Sequence, residues 1–452
     1  MVRVIPGVEV NVVKEIIPPP AYPSGTVALI GAAEKGPEMD PVHVGSWREY
    51  ADTFGANADY SMTLNAKQCF QNGVFEVVAT RVVGKGGENA AATVKDEGGA
   101  DTIELSAAAI GTSGNNLEYQ VEKGTAENSV RLLVSDGEVF EVFDDLVVDS
   151  KADRYIEKYV NANSALVTVK DLKSKTAAPK NIPAKGKGKL KGGKNPDEPD
   201  VAAFEAALEK LEAESEVEIV YACESSDPKV HALVEAHCKT MSNDAMGRIG
   251  IGTVAPGEEI KDIITRTEVL ASDRFVVVAP YGISGAVSGL ISNLSYYMSP
   301  TFKPISGVSS LEAKYTPSQL RQLLNAGILP LRAQRGKGII VVKGITTSKE
   351  QISVVRTTDH AVRLVKALGD QFIGTLNNAT GRAALKEKLT AVLIEMEREG
   401  AIVPSTDGTE PAFIVDVYSS QLDFAQGVVR VDMAIRPVRA IDYIYATVTV
   451  QA

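Results

Sequence analysis

The 452-residue sequence predicts a multidomain protein that combines α/β with α+β architecture, and three observations carry that prediction. Strands alternate with helices from about residue 215 to 300, which argues for a parallel sheet with helices on its faces. Residues 91–170 instead show short strands broken by Gly, Asn and Asp, the texture of a small β-sandwich or barrel. The final stretch pairs two amphipathic helical patterns with β-branched runs. At ~150 residues per domain, the length allows about three cores.

Taken in order, both ends read as strands. Val4, Val8, Val10 and Val12 recur with Arg3, Glu9 and Asn11 between them, a period near two that Pro6-Gly7 interrupts. Pro18-Pro19-Pro20 and Pro23 then fix an extended spacer without ladder donors. Residues 26–31 read as a buried strand, Trp47 opens a short helix, and a strand falls over 73–83. In the β-rich segment, strands are expected at 102–105, 117–123, 129–135, 139–143 and 165–170, with a helix over 152–160. Asp136-Gly137 is a hairpin turn pair.

Residues 170–194 carry nine lysines and one acid, whereas 197–218 carry nine acids and one lysine. The basic block reads as a flexible linker or exposed loop, and the acidic one as a helix over 201–214. Strands at 216–223, 248–254 and 275–279 alternate with helices at 228–241, 258–271 and 284–298. A helix over 317–326 has full punctuation: Thr316 at the N-cap, Pro317 at N1, Gln319 in the capping-box position and Gly327 beyond the end. A strand follows at 339–343. Thr358 or Asp359 caps the next helix, to about Phe372. Thr380 caps another that ends at Gly400, with Leu385, Leu389, Val392 and Met396 on one stripe. Strands close the chain at 413–418, 427–436 and 439–450. The pattern alone leaves open whether each terminal strand pairs with its own domain's sheet.

Composition narrows the function. The chain is 44% hydrophobic and 23% charged, with 47 Lys+Arg against 58 Asp+Glu and a net charge of -11. That is a globular composition and a poor one for general nucleic-acid binding, which needs clustered cations. Cys69, Cys223 and Cys238 are odd in number and widely spaced, which favours a reducing compartment. The start shows no apolar signal segment and no run approaches the ~18–20 residues of a membrane span, so synthesis and folding in cytoplasm are expected.

Catalytic candidates are few. Gly188-Lys189-Leu190-Lys191-Gly192-Gly193-Lys194 has phosphate-loop spacing, but Asn195 stands where Ser or Thr should hold Mg²⁺ and no strand precedes it. Of the four histidines, His43, His231, His237 and His360, none falls in a metal-binding spacing. Ser284, in Gly282-Ile283-Ser284-Gly285, follows a strand where a nucleophile would stand, yet lacks the full elbow and reads better as a helix N-cap. No catalytic, cofactor or metal residue is therefore assigned. A hydrolase using Ser284, or a capsid- or adhesin-like structural protein, remains as an alternative.

Several segments together resemble the contractile tail sheath proteins of phages and related injection particles. Ile5-Pro6-Gly7-Val8-Glu9-Val10 resembles the family's opening. Tyr297-Met298-Ser299-Pro300-Thr301-Phe302-Lys303-Pro304-Ile305 and Leu324-Asn325-Ala326-Gly327-Ile328 resemble its central domain. Val355-Arg356-Thr357-Thr358-Asp359, Phe372-Ile373-Gly374 and Asn377-Asn378-Ala379-Thr380-Gly381-Arg382 resemble its C-terminal domain. The Lys/Gly block at 185–194 has no counterpart in this pattern.

The resemblance implies a non-enzymatic subunit with an N-terminal strand arm and proline linker (1–20), a first part of the core (21–90) and a β-sandwich domain (91–170). After the Lys/Gly-rich linker (171–199) come a subtilisin-like α/β domain without a working triad (200–345) and an α+β C-terminal domain (348–452). It implies exchange of the terminal strands between subunits, through Val4, Val8, Val10 and Val12 at one end and Ile441, Tyr443, Tyr445 and Val448 at the other. Lys386, Lys388, Glu395 and Arg398 are expected to face a tail tube. The implied partners are further copies in a helical sheath, a tail tube protein, and baseplate and tail terminator proteins, with no cofactor, nucleic acid or membrane insertion. The implied place is a virion tail or injection particle, assembled in a bacterial cytoplasm.

Overall fold

A computed structural model of the chain describes residues 25–137 and 139–446. Val4, Val8, Val10, Val12 and Val448, the N-terminal strand and the proline spacer lie outside the described residues. The described chain divides into two units, one of residues 25–359 with 439–446 and one of residues 360–438.

The larger unit opens with β1 (Thr26–Gly31), β2 (Val42–Val44), α1 (Trp47–Phe54), α2 (Ser61–Gln71) and β3 (Val77–Arg81). A β-rich insertion follows: β4 (Ala91–Lys95), β5 (Asp101–Ala107), β6 (Glu118–Lys123), β7 (Val130–Ser135), β8 (Phe140–Leu146), α3 (Ile156–Asn163), β9 (Val167–Asp171) and β10 (Gly186–Lys189). The alternation then resumes with α4 (Val201–Leu211), β11 (Val217–Ala222), α5 (Pro228–Asn243), β12 (Ile249–Thr253), α6 (Ile260–Glu268) and β13 (Phe275–Ala279). It ends with α7 (Ser284–Asn293), α8 (Pro317–Asn325), β14 (Ile328–Gln334) and β15 (Gly338–Val341). The boundary between the units falls within α9 (Ile352–Asp370), and α10 (Ala379–Arg398), β16 (Phe413–Tyr418), α11 (Gln421–Ala425) and β17 (Arg430–Ile435) complete the smaller unit.

The main sheet runs β15-β14-β13-β12-β11-β1-β3-β2. Its inner strands are parallel, and β2 and β15 pair antiparallel at the edges. Strands buried on both faces need unbroken apolar runs, and Phe275-Val276-Val277-Val278-Ala279 is one such, buried throughout. Alternate side chains feed two separate layers. Val27 and Leu29 pack with Met62, Cys69, Val287 and Ile291 of α2 and α7, and Ala28 and Ile30 pack with Leu208, Val234 and Leu323 of α4, α5 and α8. Helices therefore cover both faces, as the alternation predicts.

The insertion is a sandwich. Sheet β10-β6-β7-β8 faces sheet β4-β5-β9 across a core that includes Ile103, Leu105, Leu132, Val134, Phe143 and Leu190. The reading of 171–199 as a linker is overturned over its basic half. Residues 186–189 form β10 and pair antiparallel with β6, Gly186 opposite Val121 and Lys189 opposite Glu118. The Tyr119 side chain lies across Gly188, where a Cβ would stand 2.7 Å from its hydroxyl oxygen and push the ring aside. Lys187 and Lys189 are exposed, Lys189 within 2.7 Å of Glu118, and Leu190 is fully buried. Lysines on an edge strand suit an edge that must not pair further.

Other departures have local causes. Helix α9 starts at Ile352, ahead of Thr358 and Asp359. Ile352 and Val355 are buried, and Asp359 is taken up by Arg274, whose Nη1 is 2.6 Å from its carboxylate. Asn378, not Thr380, caps α10, its side chain accepting from the Gly381 amide at 2.8 Å. Leu393 takes the buried position expected of Val392. Helix α7 ends at Asn293, short of 298. Strands β4 and β14 were not anticipated, and 441–446 carry no strand.

Candidate functional site

The smaller unit is built around α10 packed on the two strands β16 and β17. β16 and β17 pair from Phe413 opposite Ile435 to Tyr418 opposite Arg430. Val415 and Val417 point inward and are buried under α10, whose Leu385, Leu389, Leu393 and Met396 supply the other side. On β17 the inward positions Val431, Met433 and Ile435 are only half-buried. No third strand joins this sheet among the described residues. A two-stranded sheet is marginal by itself, and an outer edge that no described strand covers offers backbone donors and acceptors for pairing. Ile414, Leu422 and Phe424 are also exposed.

The C-terminal site residues lie on the larger unit, without strand geometry. Ile441 is 80% exposed, Tyr443 66% and Tyr445 94%. That disagrees with a terminal strand folded into its own sheet, and the physical reason is the absence of a neighbouring strand edge at 441–446 among the described residues. Gln351, which holds this segment, was passed over in the sequence. Its partner Ala440 is 89 residues away, and no periodicity signals a side chain pairing with a backbone.

The four residues expected at a tube are engaged within their own unit. Lys386 pairs with Asp416 at 2.9 Å, and Arg398 with Glu395 at 2.6 Å. Lys388 donates to the Gln371 side chain at 3.1 Å and lies 5.3 Å above the Phe372 ring. Lys386, Glu395 and Arg398 are thus paired with opposite charges, while Lys388 rests on an amide oxygen and an aromatic ring.

The catalytic candidates are taken up by the fold. Ser284 is completely buried at the first position of α7, with Ile283 and not Ser284 at the N-cap, and no histidine is hydrogen-bonded to it among the described residues. The phosphate-loop spacing begins on the last two residues of β10 and runs on through irregular chain, with no helix following directly. His231 and His237 are buried, which pushes each down to about 4, with the Arg248 charge adding to the effect at His237. At His43 burial works to lower the pKa, but Glu214 at 2.8 Å and Glu76 at 3.1 Å overrule it and raise it. The three cysteines are free and buried, and burial pushes Cys69 and Cys238 up to about 12. No cluster of metal-binding side chains occurs among the described residues.

A cleft of about 720 Å³ opens beyond the carboxyl ends of β1, β3 and β11, where sheets of this kind seat ligands. Its deepest polar groups serve the fold. Arg81 donates to the carbonyls of Ala33, Gly36 and Ile110 at 3.1, 3.1 and 2.9 Å, and Glu224 accepts from Asn65 at 2.8 Å.

Comparison with known proteins follows the same lines. Residues 197–347 match the family model of the phage tail sheath protein central domain, and 346–451 match that of the phage tail sheath C-terminal domain. A tail sheath protein of Staphylococcus phage Twort is 26% identical over 274 residues, 55% of this chain and 45% of that protein, so the chain spans less than half the length of this relative. A sheath tail protein from Listeria innocua superposes with a TM-score of 0.70 at 17% identity, covering 93% of each chain. One from Desulfitobacterium hafniense gives 0.68 at 16% identity, covering 97% of this chain and 99% of that one. The helical sheath of the anti-feeding prophage in its contracted state gives 0.57 at 15% identity, covering 99% of both. At these identities the likeness to the solved structures is one of fold.

Proposed function

Because the chain belongs to the phage tail sheath protein family, we propose that it is a structural subunit that polymerises helically around a tail tube and contracts to drive the tube through a target cell envelope. The observation that carries this reading is the sheet of the smaller unit, which among the described residues has two strands, no third strand on either outer edge and a half-covered inner face. Terminal segments of other copies complete it: the N-terminal arm, through Val4, Val8, Val10 and Val12, and the C-terminal segment, through Ile441, Tyr443, Tyr445 and Val448. This is strand addition, in which backbone hydrogen bonds give affinity. Five or six such bonds at ~0.5–1.5 kcal/mol each are opposed by ~1–2 kcal/mol of ordering per arm residue. One arm is therefore marginal until its apolar side chains are buried and many subunits cooperate. Head-to-tail contacts that do not close give a helix, not a ring.

In this reading the sheath stores energy in a stretched lattice and releases it by repacking into one with more buried interface. The linkers bend while the strand pairs persist, and no cofactor or nucleotide is consumed. The α/β layer acts as a subtilisin-like scaffold without a triad. The charged face of Lys386, Lys388, Glu395 and Arg398 turns toward the tube protein, and baseplate and terminator proteins cap the ends. The particle is a phage tail or a related injection system, assembled in the bacterial cytoplasm.

Deleting residues 1–17 tests the arm. Folded subunits by circular dichroism that form no tubes in the electron microscope are expected, and long ordered tubes from the truncated chain would overturn the mechanism.

A further inference from the structure

Residues 439–443 are held on the larger unit by one short stretch of chain. Gln351 stands immediately before α9, and its backbone is fixed on three sides. Its carbonyl accepts from the Val355 amide at 3.3 Å, its amide donates to Glu350 Oε1 at 3.0 Å, and it bridges to Ile345. Glu350 is itself set by the Thr346 amide, which donates to its carbonyl at 2.9 Å. From this platform the Gln351 side chain imitates a strand edge. Nε2 donates to the Ala440 carbonyl at 3.1 Å, and Oε1 accepts from the Ala440 amide at 2.9 Å. These are the two bonds that a residue opposite Ala440 in an antiparallel ladder would make. Nε2 also donates to Asp442 at 2.8 Å, so both donors are used.

The neighbours reinforce the grip. Lys343 lies 3.2 Å from the Asp442 carboxylate and 4.9 Å from the centre of the Tyr443 ring. Arg439 pairs with Glu350 at 2.9 Å. Gln351 is 6% exposed, so the amide works where water competes little. Beyond Tyr443 the grip ends, and Ile444 and Tyr445 are almost fully exposed.

We propose that Gln351, backed by Lys343 and Glu350, is an anchor that fixes the root of the C-terminal segment on its own subunit and sets the point from which residues 444 onward depart toward a second copy of this chain. The proposal rests on the strand-exchange reading, adds a positioning residue to it, and narrows its C-terminal part to Tyr445 and Val448, because Ile441 and Tyr443 stay with the anchored root on their own subunit. An anchored root shortens the free tether. Freeing about five residues lowers the effective concentration of the arm at its target roughly two-fold per subunit, because that concentration falls with about the −3/2 power of tether length. Cooperation between many subunits multiplies the loss.

The test uses the full chain before and after assembly. Gln351→Leu keeps the volume and removes the hydrogen bonds. Asp442→Ala weakens the same grip from the segment side, where folding of the body is not at stake. Hydrogen exchange on unassembled subunits is expected to show a protected Ala440 amide in the parent chain, with protection lost by roughly 5- to 30-fold in Gln351→Leu. The concentration threshold for tube formation should rise at least about two-fold in both variants. An Ala440 amide as labile in the parent as in Gln351→Leu would overturn the anchor, and so would tube formation at the parent's threshold by both variants. A chain ending at Tyr443 separates the two readings. If it assembles as well as the full chain, C-terminal exchange fails, whereas its failure to assemble beside normal assembly of both variants leaves exchange standing and removes the anchor.

Discussion

At the residue scale, the fold spends its buried cations and imidazoles on backbone carbonyls. Arg248, fully buried, donates to the carbonyls of Leu211 and Glu214, and to His237 Nε2 at 2.7 Å. Accepting from a guanidinium requires His237 to be neutral at Nε2, consistent with its lowered pKa. His231 is likewise held neutral in a buried position, its Nε2 2.9 Å from the Ser225 carbonyl. Because both fold with pKa values near 4 against 6.5 unfolded, the unfolded chain binds more protons between those values. Their contribution is therefore complete above pH 6.5 and is lost as pH falls toward 4, up to ~3 kcal/mol per residue. His43 works with the opposite sign, favouring the fold below its raised pKa, and being partly exposed it contributes less. Urea unfolding of isolated subunits should show stability falling from pH 6.5 to 5, with a shallower slope in His237→Gln. A flat profile would count against this assignment. None of it was readable in the sequence, where the four histidines showed only that they lacked metal spacing.

At the element scale, α2 and α7 meet through bare backbone. A Cβ on Gly285 would lie 2.5 Å from Asn65 Oδ1, and one on Gly289 would lie 2.6 Å from the Cys69 carbonyl oxygen. Glycines four apart on one helix face admit the neighbouring helix at a distance that no other residue allows. The segment that looked most like a nucleophile turn is thus a packing surface. Gly289→Ala should destabilise the subunit by ~1–3 kcal/mol, the usual cost of overpacking, seen as a lower denaturation midpoint. An unchanged midpoint would show that the helices can part at little cost. Punctuated elements were the legible ones. Helix α8 has its full capping box at Thr316 and Gln319, as read, and β16 spans the residues expected. Where packing overrode local signals, the reading slipped. Thr358 and Asp359 look like caps, but their hydroxyl and carboxylate are satisfied by the Val354 carbonyl and by Arg274 inside α9. The lysine-rich run reads as solvated chain because a strand lined with Gly and Lys has no apolar alternation to announce it.

At the scale of the whole molecule, the alternating α/β texture, the β-rich insertion and the mixed C-terminal region were all visible in composition and period. What periodicity could not give was long-range partnership: that β1 and β3 enter the same sheet as β11–β14, or that 439–446 group with the larger unit. Such pairings are set by the closing of the chain over hundreds of residues, and no local window contains them.

The foot of the sandwich has a practical consequence. Glu88 and Lys194 exchange both backbone hydrogen bonds, at 3.1 and 3.0 Å, and Asp197 donates to the Lys85 carbonyl at 2.9 Å. The strands entering and leaving the insertion are thereby stitched side by side, with ends roughly 5.5 Å apart as in any such pair. A tight two-residue turn could bridge that gap. Excising residues 89–193 should therefore leave a soluble, cooperatively melting remainder, and aggregation of the shortened chain would show that the stitch alone does not suffice. The same socket accepts, by this geometry, a foreign domain whose termini lie close together, making the insertion interchangeable without altering the main sheet beside it.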